Sequence, residues 1–264
     1  MLMQELQAIF DPTFHAQSFG FRPGKSAHDA VRTAQSYVRA GKDWVVDMDI
    51  TKFFDRVNHD ILMNRIGQTI RDKRVLGLIG RYLRAGVMVE GLVQASEEGT
   101  PQGGPLSPLL ANIYLDALDQ ELERRGLAFS RYADDCNIYV SSQRSAQRVL
   151  ESLTTWIARH LRLEVNATKS GTGRPWERKF LGFRINPEGK IEAAPASVER
   201  FKTKVREMWR SCQSQTSEEL RDNWRAYIRG WWGYYRLAEE RRNLFGLEGW
   251  IRRHIRSCFW KRWD

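Results

Sequence analysis

Carboxylates stand at two points where apolar segments of this sequence end. Asp134 and Asp135 are consecutive and lie between two apolar stretches, while Asp47 and Asp49 alternate with apolar residues earlier in the chain. Alternate side chains of a strand share one face, so Asp47 and Asp49 would project together. Adjacent negative charges repel unless a cation neutralises them, and Mg²⁺ takes carboxylate oxygens and bridges them to phosphates. The pattern predicts a divalent-metal site that acts on phosphate groups; the alternative for an isolated Asp-Asp pair is a solvated hairpin turn.

The elements that must position these acids alternate between helices and strands. A strand is predicted over 43–50, and two strands over 127–140 meet at the Asp134-Asp135 turn. Ser26 and Asp29 form a capping-box pattern that begins a helix. The other predicted elements of this part are helices at 58–69, 73–84, 105–124 and 143–160, a hairpin at 87–95, and strands at 161–165 and 179–185.

The composition is that of a globular protein with a polyanionic partner. The chain has 264 residues, 42% hydrophobic and 28% charged, with a net charge of +10, which excludes disordered and fibrous classes and favours nucleic acid. No apolar run reaches the length of a membrane span, so no membrane association is expected. The three cysteines form no Cys-x-x-Cys pair, which favours a reducing compartment, the cytoplasm.

The last quarter of the sequence is basic and aromatic. Residues 195–264 hold 16 Lys and Arg against nine Asp and Glu, and seven of the ten tryptophans. Amphipathic helices are predicted at 198–210, 218–237 and 247–262. The chain is therefore predicted to comprise an α+β domain, 1–194, and an all-helical domain, 195–264.

The interleaved arginines and aromatics of this all-helical domain suit a surface that follows a nucleic-acid duplex. The candidate contacts are Arg225, Arg229, Arg236, Arg252, Arg253 and Arg256. Most of the aromatics there, Trp232 included, are expected to be core residues, and several of the arginines could be ordinary solvated residues.

Seven sequence blocks, in their order along the chain, resemble those of group II intron-encoded reverse transcriptases. The segment RYADD at 131–135 contains the Tyr-x-Asp-Asp box of the catalytic turn. The others are SFGFRPGKSAHDA at 18–30, DITKFFD at 49–55, GTPQGGPLSPLLAN at 99–112, NATKS at 166–170, FLGF at 180–183, and YIRGWWGYY at 227–235 in the maturase or thumb region. The resemblance implies a right-hand polymerase fold, with a palm, partial fingers and a helical thumb.

The same resemblance assigns the acids to nucleotidyl transfer by two metals. Asp49 and Asp134 would bridge two Mg²⁺ ions, with Mn²⁺ as a substitute, Asp135 would complete the first site, and the Ile50 carbonyl would add a ligand. Lys169 matches the lysine near the leaving pyrophosphate, where it would donate a proton. Asp47 matches no catalytic position and Asp55 is expected to cap a turn, so both are interpreted as structural.

Substrate contacts are also implied by the matched blocks. Phe54 would close under the sugar and select dNTPs, although Phe53 could exchange roles with it. Gln102 and Gly103 would receive the templating base pair. The family's first fingers blocks, which cap the triphosphate, find no match ahead of residue 18. We therefore expect Arg22 and Lys25 to contact the dNTP, and a second chain could supply the missing fingers.

The function predicted from the sequence is RNA-directed DNA synthesis together with binding of structured intron RNA, RNA–DNA duplex and dNTP, in support of splicing. Two alternatives remain open. One is an RNA-binding splicing factor, split protein or fragment with little polymerase activity of its own. The other is an RNA-dependent RNA polymerase, against which Phe54 argues.

Overall fold

The computed structural model describes residues 2–85, 87–89, 92–94, 98–101, 103–210 and 215–263. The chain forms two compact units, Met1–Arg174 and Pro175–Asp264. In the described part of the chain, no helix is both long and apolar enough to cross a membrane.

The first unit is built on a four-stranded antiparallel sheet of order β4-β5-β1-β6. Its strands are β1 (Trp44–Met48), β4 (Ala128–Tyr132), β5 (Asp135–Val140) and β6 (Gly171–Gly173). Val46 pairs with Ile138 and Met48 with Cys136, and all four are buried in the hydrophobic core. Asp47 pairs with Asn137 on the opposite face of the sheet, where Val45 and Tyr139 form a further buried pair. Asp47 therefore lies on the face opposite Val46 and Met48.

In the described residues of this unit, six α-helices accompany the sheet, with a small hairpin between the fourth and fifth. They are α1 (Leu2–Phe10), α2 (Ala27–Arg39), α3 (His59–Thr69), α4 (Lys73–Arg84), α5 (Ser107–Arg124) and α6 (Gln143–Leu161), and the hairpin is β2 (Val87–Val89) with β3 (Leu92–Gln94). The predicted capping box at Ser26 and Asp29 is present at the start of α2. Helix α5 is buried on most sides, through Leu110, Tyr114 and Leu118 among others, which makes it the central helix of this unit.

The second unit joins a short hairpin to three helices. These are β7 (Phe183–Ile185), β8 (Ile191–Ala193), α7 (Pro195–Arg210), α8 (Ser217–Tyr235) and α9 (Arg242–Trp263). Phe201 and Trp209 of α7 are buried at its centre, with Trp224 and Trp231 of α8 packed against them. This hairpin segment is bonded to α7 and to the loop after α8, since Ser197 Oγ donates to the Gly182 carbonyl just before β7 and the Glu239 amide donates to the Ile191 carbonyl. The division between units therefore precedes this hairpin, whereas the composition of the sequence changes at Pro195.

Two details of the predicted secondary structure are wrong. No strand spans 161–165: α6 continues to Leu161, Arg162 ends it at φ 48°, and only Val165 bridges to Ile50. Helical packing of Leu161, which is fully buried, outweighs the local strand pattern. Strand β6 was not predicted because its Gly-Thr-Gly sequence has no apolar alternation.

Candidate active site

Asp49 follows the end of β1 and is held there by the loop that contains Asn166 and Ser170. The Asp49 amide donates to Ser170 Oγ at 2.9 Å, and the Asn166 amide donates to the Asp49 carbonyl at 2.8 Å. Ser170 Oγ also donates to that carbonyl at 3.2 Å. The backbone of Asp49 is thus fixed on both sides, while its side chain stays partly exposed.

The same loop places Lys169 beside Asp49. Asn166 Oδ1 accepts from the amides of Thr168 and Lys169, which makes a local turn stabilised by one side chain. Lys169 Nζ lies 3.7 Å from Asp49 Oδ2, and its side chain is 67% exposed. An exposed pair of this kind contributes little to stability. The ammonium group is therefore available for a phosphate.

Asp134 occupies the turn between β4 and β5. Burial raises the pKa of its carboxyl, and the nearby charge of Asp49 raises that pKa further, against the opposing effects of its own backbone amide, Arg131 and Lys169. A carboxylate whose ionisation is opposed by burial and by a neighbouring acid is a natural ligand for a divalent cation. The preceding residue, Ala133, adopts φ 57°, a left-handed conformation that costs a non-glycine residue about 1–2 kcal/mol.

The turn is packed from the N-terminal side by Gly20. The segment before it runs beside β4, where the Phe19 amide donates to the Arg131 carbonyl at 2.9 Å and the Arg131 amide donates to Gln17 at 3.0 Å. A Cβ at position 20 would lie 2.3 Å from the Ala133 nitrogen. Only glycine allows this approach.

The remaining predicted ligands lie near the pair without completing a compact cluster. Asp135 begins β5 opposite Tyr132, and continuation of the β1–β5 register brings position 135 opposite position 49. Ile50 is buried and bridges to Val165. Among the residues that the structure describes, no group of three or more His, Cys, Asp or Glu side chains is close enough to hold a metal ion. The oxygen-only donors of Asp49 and Asp134 nevertheless fit a hard divalent ion.

The two candidate sugar-gate residues have different environments. Phe53 is 2% exposed and packs into the core against Tyr114. Phe54 is half-buried, with its ring edge-on to Phe53 at 5.2 Å. The Phe54 carbonyl accepts from the Thr100 amide at 2.7 Å, which joins this segment to the predicted template loop. Phe54 is therefore the one whose ring has open surface.

The predicted template loop is held in place by the hydroxyl groups of Ser107 and Tyr82. Ser107 Oγ donates to the Pro101 carbonyl at 2.6 Å and lies 3.0 Å from the Tyr82 hydroxyl. Gly103 is exposed at φ 81° with open space around it, as a close approach by a base pair requires. Gln102 lies outside the described residues.

Arg22 and Lys25, which the sequence predicts to contact the dNTP, are bonded to the preceding segment of the chain. The Arg22 guanidinium donates to the Asp11 carboxylate at 2.8 Å and to the carbonyls of Asp11, His15 and Ser18, leaving its side chain 7% exposed. Lys25 Nζ donates to the Ala16 carbonyl at 2.9 Å and lies over the Phe19 ring. Both cations fasten residues 11–19 in this structure, and their contact with a triphosphate stays a prediction.

In the second unit, the six candidate arginines are all exposed. Arg252 is paired with Glu248, one helical turn away. Trp224, Trp231 and Tyr235 pack against the core as expected, but Trp232 is 45% exposed, with Arg241 over its ring, and Trp260 is 70% exposed. This unit therefore presents guanidinium groups and partly exposed indole rings on its surface.

The sequence did not identify four residues that hold the acidic segments in place without being expected metal ligands themselves. Gly20, Asn112, Asp119 and Ser170 lie in or beside the recognised blocks, but their contacts are to backbone atoms or side chains far away in the sequence. Asp119 and Asn112 offered one signal: each is polar within the apolar sequence of α5. A buried polar side chain needs a partner, which the sequence does not name.

Comparisons with known proteins match both parts of the chain. The family described as reverse transcriptase (RNA-dependent DNA polymerase) matches residues 1–185. The family described as group II intron, maturase-specific domain, matches residues 198–264.

Individual relatives share about half of this chain. Protein YkfC of Escherichia coli is 38% identical over 131 residues, 48% of this chain and 34% of its own length. Group II intron-encoded protein LtrA of Lactococcus lactis is 40% identical over 126 residues, 48% of this chain and 21% of its own. The matches therefore span about a third or less of these relatives. The apo telomerase of Candida tropicalis has a TM-score of 0.57 at 12% identity and covers 75% of this chain and 40% of that one, which confirms the polymerase fold.

Proposed function

Because this chain belongs to the reverse transcriptase family and carries a group II intron maturase-specific domain, we propose that it synthesises DNA on an RNA template and binds structured intron RNA in support of splicing. The observation that carries the proposal is the juxtaposition of Asp49, Asp134 and Lys169. The charge of Asp49, which follows β1, raises the pKa of Asp134 in the turn between β4 and β5, and Lys169 Nζ lies 3.7 Å from Asp49 Oδ2.

Asp49 and Asp134 would hold divalent metal, with Asp135 and the Ile50 carbonyl as further ligands. Bound Mg²⁺, or Mn²⁺ in its place, supplies charge stabilisation at the attacking and leaving oxygens, in a two-ion arrangement. The chain's own residues do the rest. Lys169 would donate a proton to the departing pyrophosphate. The ring of Phe54 would meet the sugar, and the loop with Gly103 would meet the templating pair.

The test is primer extension by the purified chain on an RNA template with dNTPs. Asp49→Asn and Asp134→Asn should each abolish extension while RNA affinity, measured by gel shift, stays within about twofold, because the acids act on the transition state. Asp47→Asn is the matched control, because Asp47 is an acid on β1, two residues before Asp49, and is interpreted as a structural residue. Extension that survives Asp134→Asn, or is lost equally in Asp47→Asn, would overturn the proposal.

The second unit would bind RNA through its exposed arginines. Phosphate contacts dominate such binding and make it depend on salt, while the exposed rings of Trp232 and Trp260 offer stacking surfaces. An RNA–DNA duplex would use the same phosphate contacts. Gel shifts with a folded intron RNA, in competition with an unstructured RNA of equal length, measure whether structure is recognised.

A second candidate function is RNA binding with little polymerase activity. It is favoured by the engagement of Arg22 and Lys25 with residues 11–19, because a triphosphate then lacks these cations as a clamp. This candidate predicts an apparent KM for dNTP near or above 1 mM, roughly the upper end of the usual range. It also predicts that a polypeptide bearing the family's first fingers blocks lowers that constant. Saturation at low-micromolar dNTP by the chain alone would exclude it.

A further inference from the structure

Arg131 is a fully buried cation three residues before Asp134. Its side chain is 0% exposed, and all five of its N–H groups are bonded. Nε and Nη2 donate to the two carboxylate oxygens of Asp119, which is also 0% exposed, at 2.7 and 2.5 Å. The other three donors reach Ser18 Oγ at 2.7 Å, Asn112 Oδ1 at 3.2 Å and the Ala133 carbonyl at 2.8 Å.

These bonds enclose the left-handed residue of the catalytic turn. The guanidinium holds the Ala133 carbonyl directly. On the other side, Asn112 Nδ2 donates to the Gly20 carbonyl at 2.8 Å, and Gly20 is the residue packed against the Ala133 nitrogen. Ala133 is thus held on its carbonyl side by a hydrogen bond from Arg131 and on its nitrogen side by packing against Gly20, whose carbonyl is bonded to Asn112, itself a partner of Arg131.

A buried ion pair of this kind is poorly explained by stability alone. Desolvating two charges offsets most of their attraction, and an apolar pair of similar volume is often as stable. The planar five-donor fork, however, can bind four partners at once in fixed directions, which a lysine cannot do. We infer that Arg131 is a positioning residue for DNA synthesis: through Asp119 and the Ala133 carbonyl, it sets the turn that presents Asp134.

This inference rests on the proposed function, and its test uses variants that separate geometry from stability. Arg131→Lys keeps the charge but loses the fork, and Arg131→Met with Asp119→Leu removes the buried charges as a pair. Ser18→Ala removes a single acceptor and is the mildest change. Leu118→Ala, a fully buried residue beside Asp119 on α5, is the matched control: it opens a cavity without touching these hydrogen bonds.

At a temperature where each variant is folded by circular dichroism, Arg131→Lys and the double variant should lose at least tenfold in kcat, with the KM for dNTP and RNA affinity within twofold of the unmodified chain. Ser18→Ala should lose a few-fold. Leu118→Ala should lower Tm but keep its kcat. A kcat unchanged in Arg131→Lys, or lost in Leu118→Ala to the same extent, would assign Arg131 to stability only and overturn the inference.

Hydrogen exchange gives a readout that does not need activity. The peptide spanning residues 131–136 should exchange faster in Arg131→Lys than in Leu118→Ala compared at equal stability, and equal exchange would contradict the inference. If the unmodified chain extends no primer, the proposed function fails, while the exchange comparison still decides whether Arg131 holds the turn.

Discussion

Gly20 and Ala133 are packed backbone to backbone, so that a methyl group at position 20 would lie 2.3 Å from the Ala133 nitrogen. One residue comes from the segment before α2 and the other from the turn that carries Asp134. The packing gives a structural reason for glycine at this position of the first recognised block: a side chain there would collide with the turn that carries Asp134.

Gly20→Ala should therefore destabilise the protein and disturb the turn. Because the clash is with backbone, it cannot be relieved by a side-chain rotation, and we expect a decrease of roughly 3 kcal/mol in the free energy of unfolding. Gly67→Ala is the control: it is a helical glycine with open space around it, and it should gain up to about 1 kcal/mol. Urea unfolding of the two variants measures both effects, and equal stability would contradict the close approach of the two backbones.

Asp134→Asn should stabilise the metal-free protein while abolishing DNA synthesis. The pKa of Asp134 is raised by burial and by Asp49, so the folded state loses stability as pH rises through that pKa. The neutral side-chain amide in the Asp134→Asn variant cannot ionise, so the variant does not lose this stability as pH rises. In EDTA at neutral pH, Tm should be higher for the variant, and the difference should shrink as pH falls below the ordinary aspartate range. A lower Tm at neutral pH would mean that the carboxylate has a stabilising partner there.

Phe54→Ala should relax sugar selectivity, and Phe53→Leu should not. Phe54 has open surface, whereas Phe53 is in the core. Steady-state competition should show the rNTP/dNTP ratio of kcat/KM rising roughly tenfold in Phe54→Ala, about 1.4 kcal/mol. Phe53→Leu should instead lose roughly 1–3 kcal/mol of stability with its ratio unchanged. If only Phe53→Leu changed the rNTP/dNTP ratio, the sugar contact would be assigned to Phe53 and not to Phe54.

Much of the fold could be predicted from the sequence because local signals agree with tertiary packing. The boundaries of α3 and α4 follow from the N-caps Asn58 and Asp72 and from apolar periodicity, and those of β4 and β5 from two apolar runs around an acidic turn. The blocks around Asp49 and Asp134 indicated the family without any structural information, because the order of motifs is visible in the sequence itself.

Some contacts around the site could not be predicted from the sequence, for identifiable physical reasons. Arg22 and Lys25 bond chiefly to carbonyls of residues 11–18, and no residue type indicates which backbone carbonyl will accept such a bond. Arg131 is bonded mainly to side chains from distant parts of the chain, those of Asp119, Asn112 and Ser18, and a sequence pattern does not name such partners. Val165 pairs with Ile50 from a loop, and the strand pattern there could not reveal that α6 extends to Leu161.

The arginines of α8 and its C-terminal end should account for a measurable part of RNA binding. When Arg225, Arg229 and Arg236 are replaced together with Gln, the slope of log affinity against log salt should fall by roughly one unit for each phosphate that is no longer neutralised. The matched control is a triple replacement on exposed positions of α6, Arg144, Arg148 and Arg159. A slope that falls equally in both triples would indicate a general charge effect, and an unaltered slope in the first would remove these arginines from the interface.

Lys169→Met should slow the chemical step of nucleotide addition by roughly 10²-fold, because a general acid beside the leaving group is removed. The Asn166 turn holds Lys169 near Asp49, so the substitution should change kcat more than RNA affinity. Lys73→Met, at an exposed lysine at the start of α4, is the control and should have no effect.

The role of Lys169 in proton donation is tested with β,γ-methylene and β,γ-difluoromethylene dNTP analogues, whose leaving groups differ in acidity. The more acidic leaving group needs less protonation, so the rate loss in Lys169→Met should be smaller with the difluoromethylene analogue. An equal loss with both analogues would leave Lys169 as an electrostatic contact to the triphosphate and contradict its assignment as a proton donor.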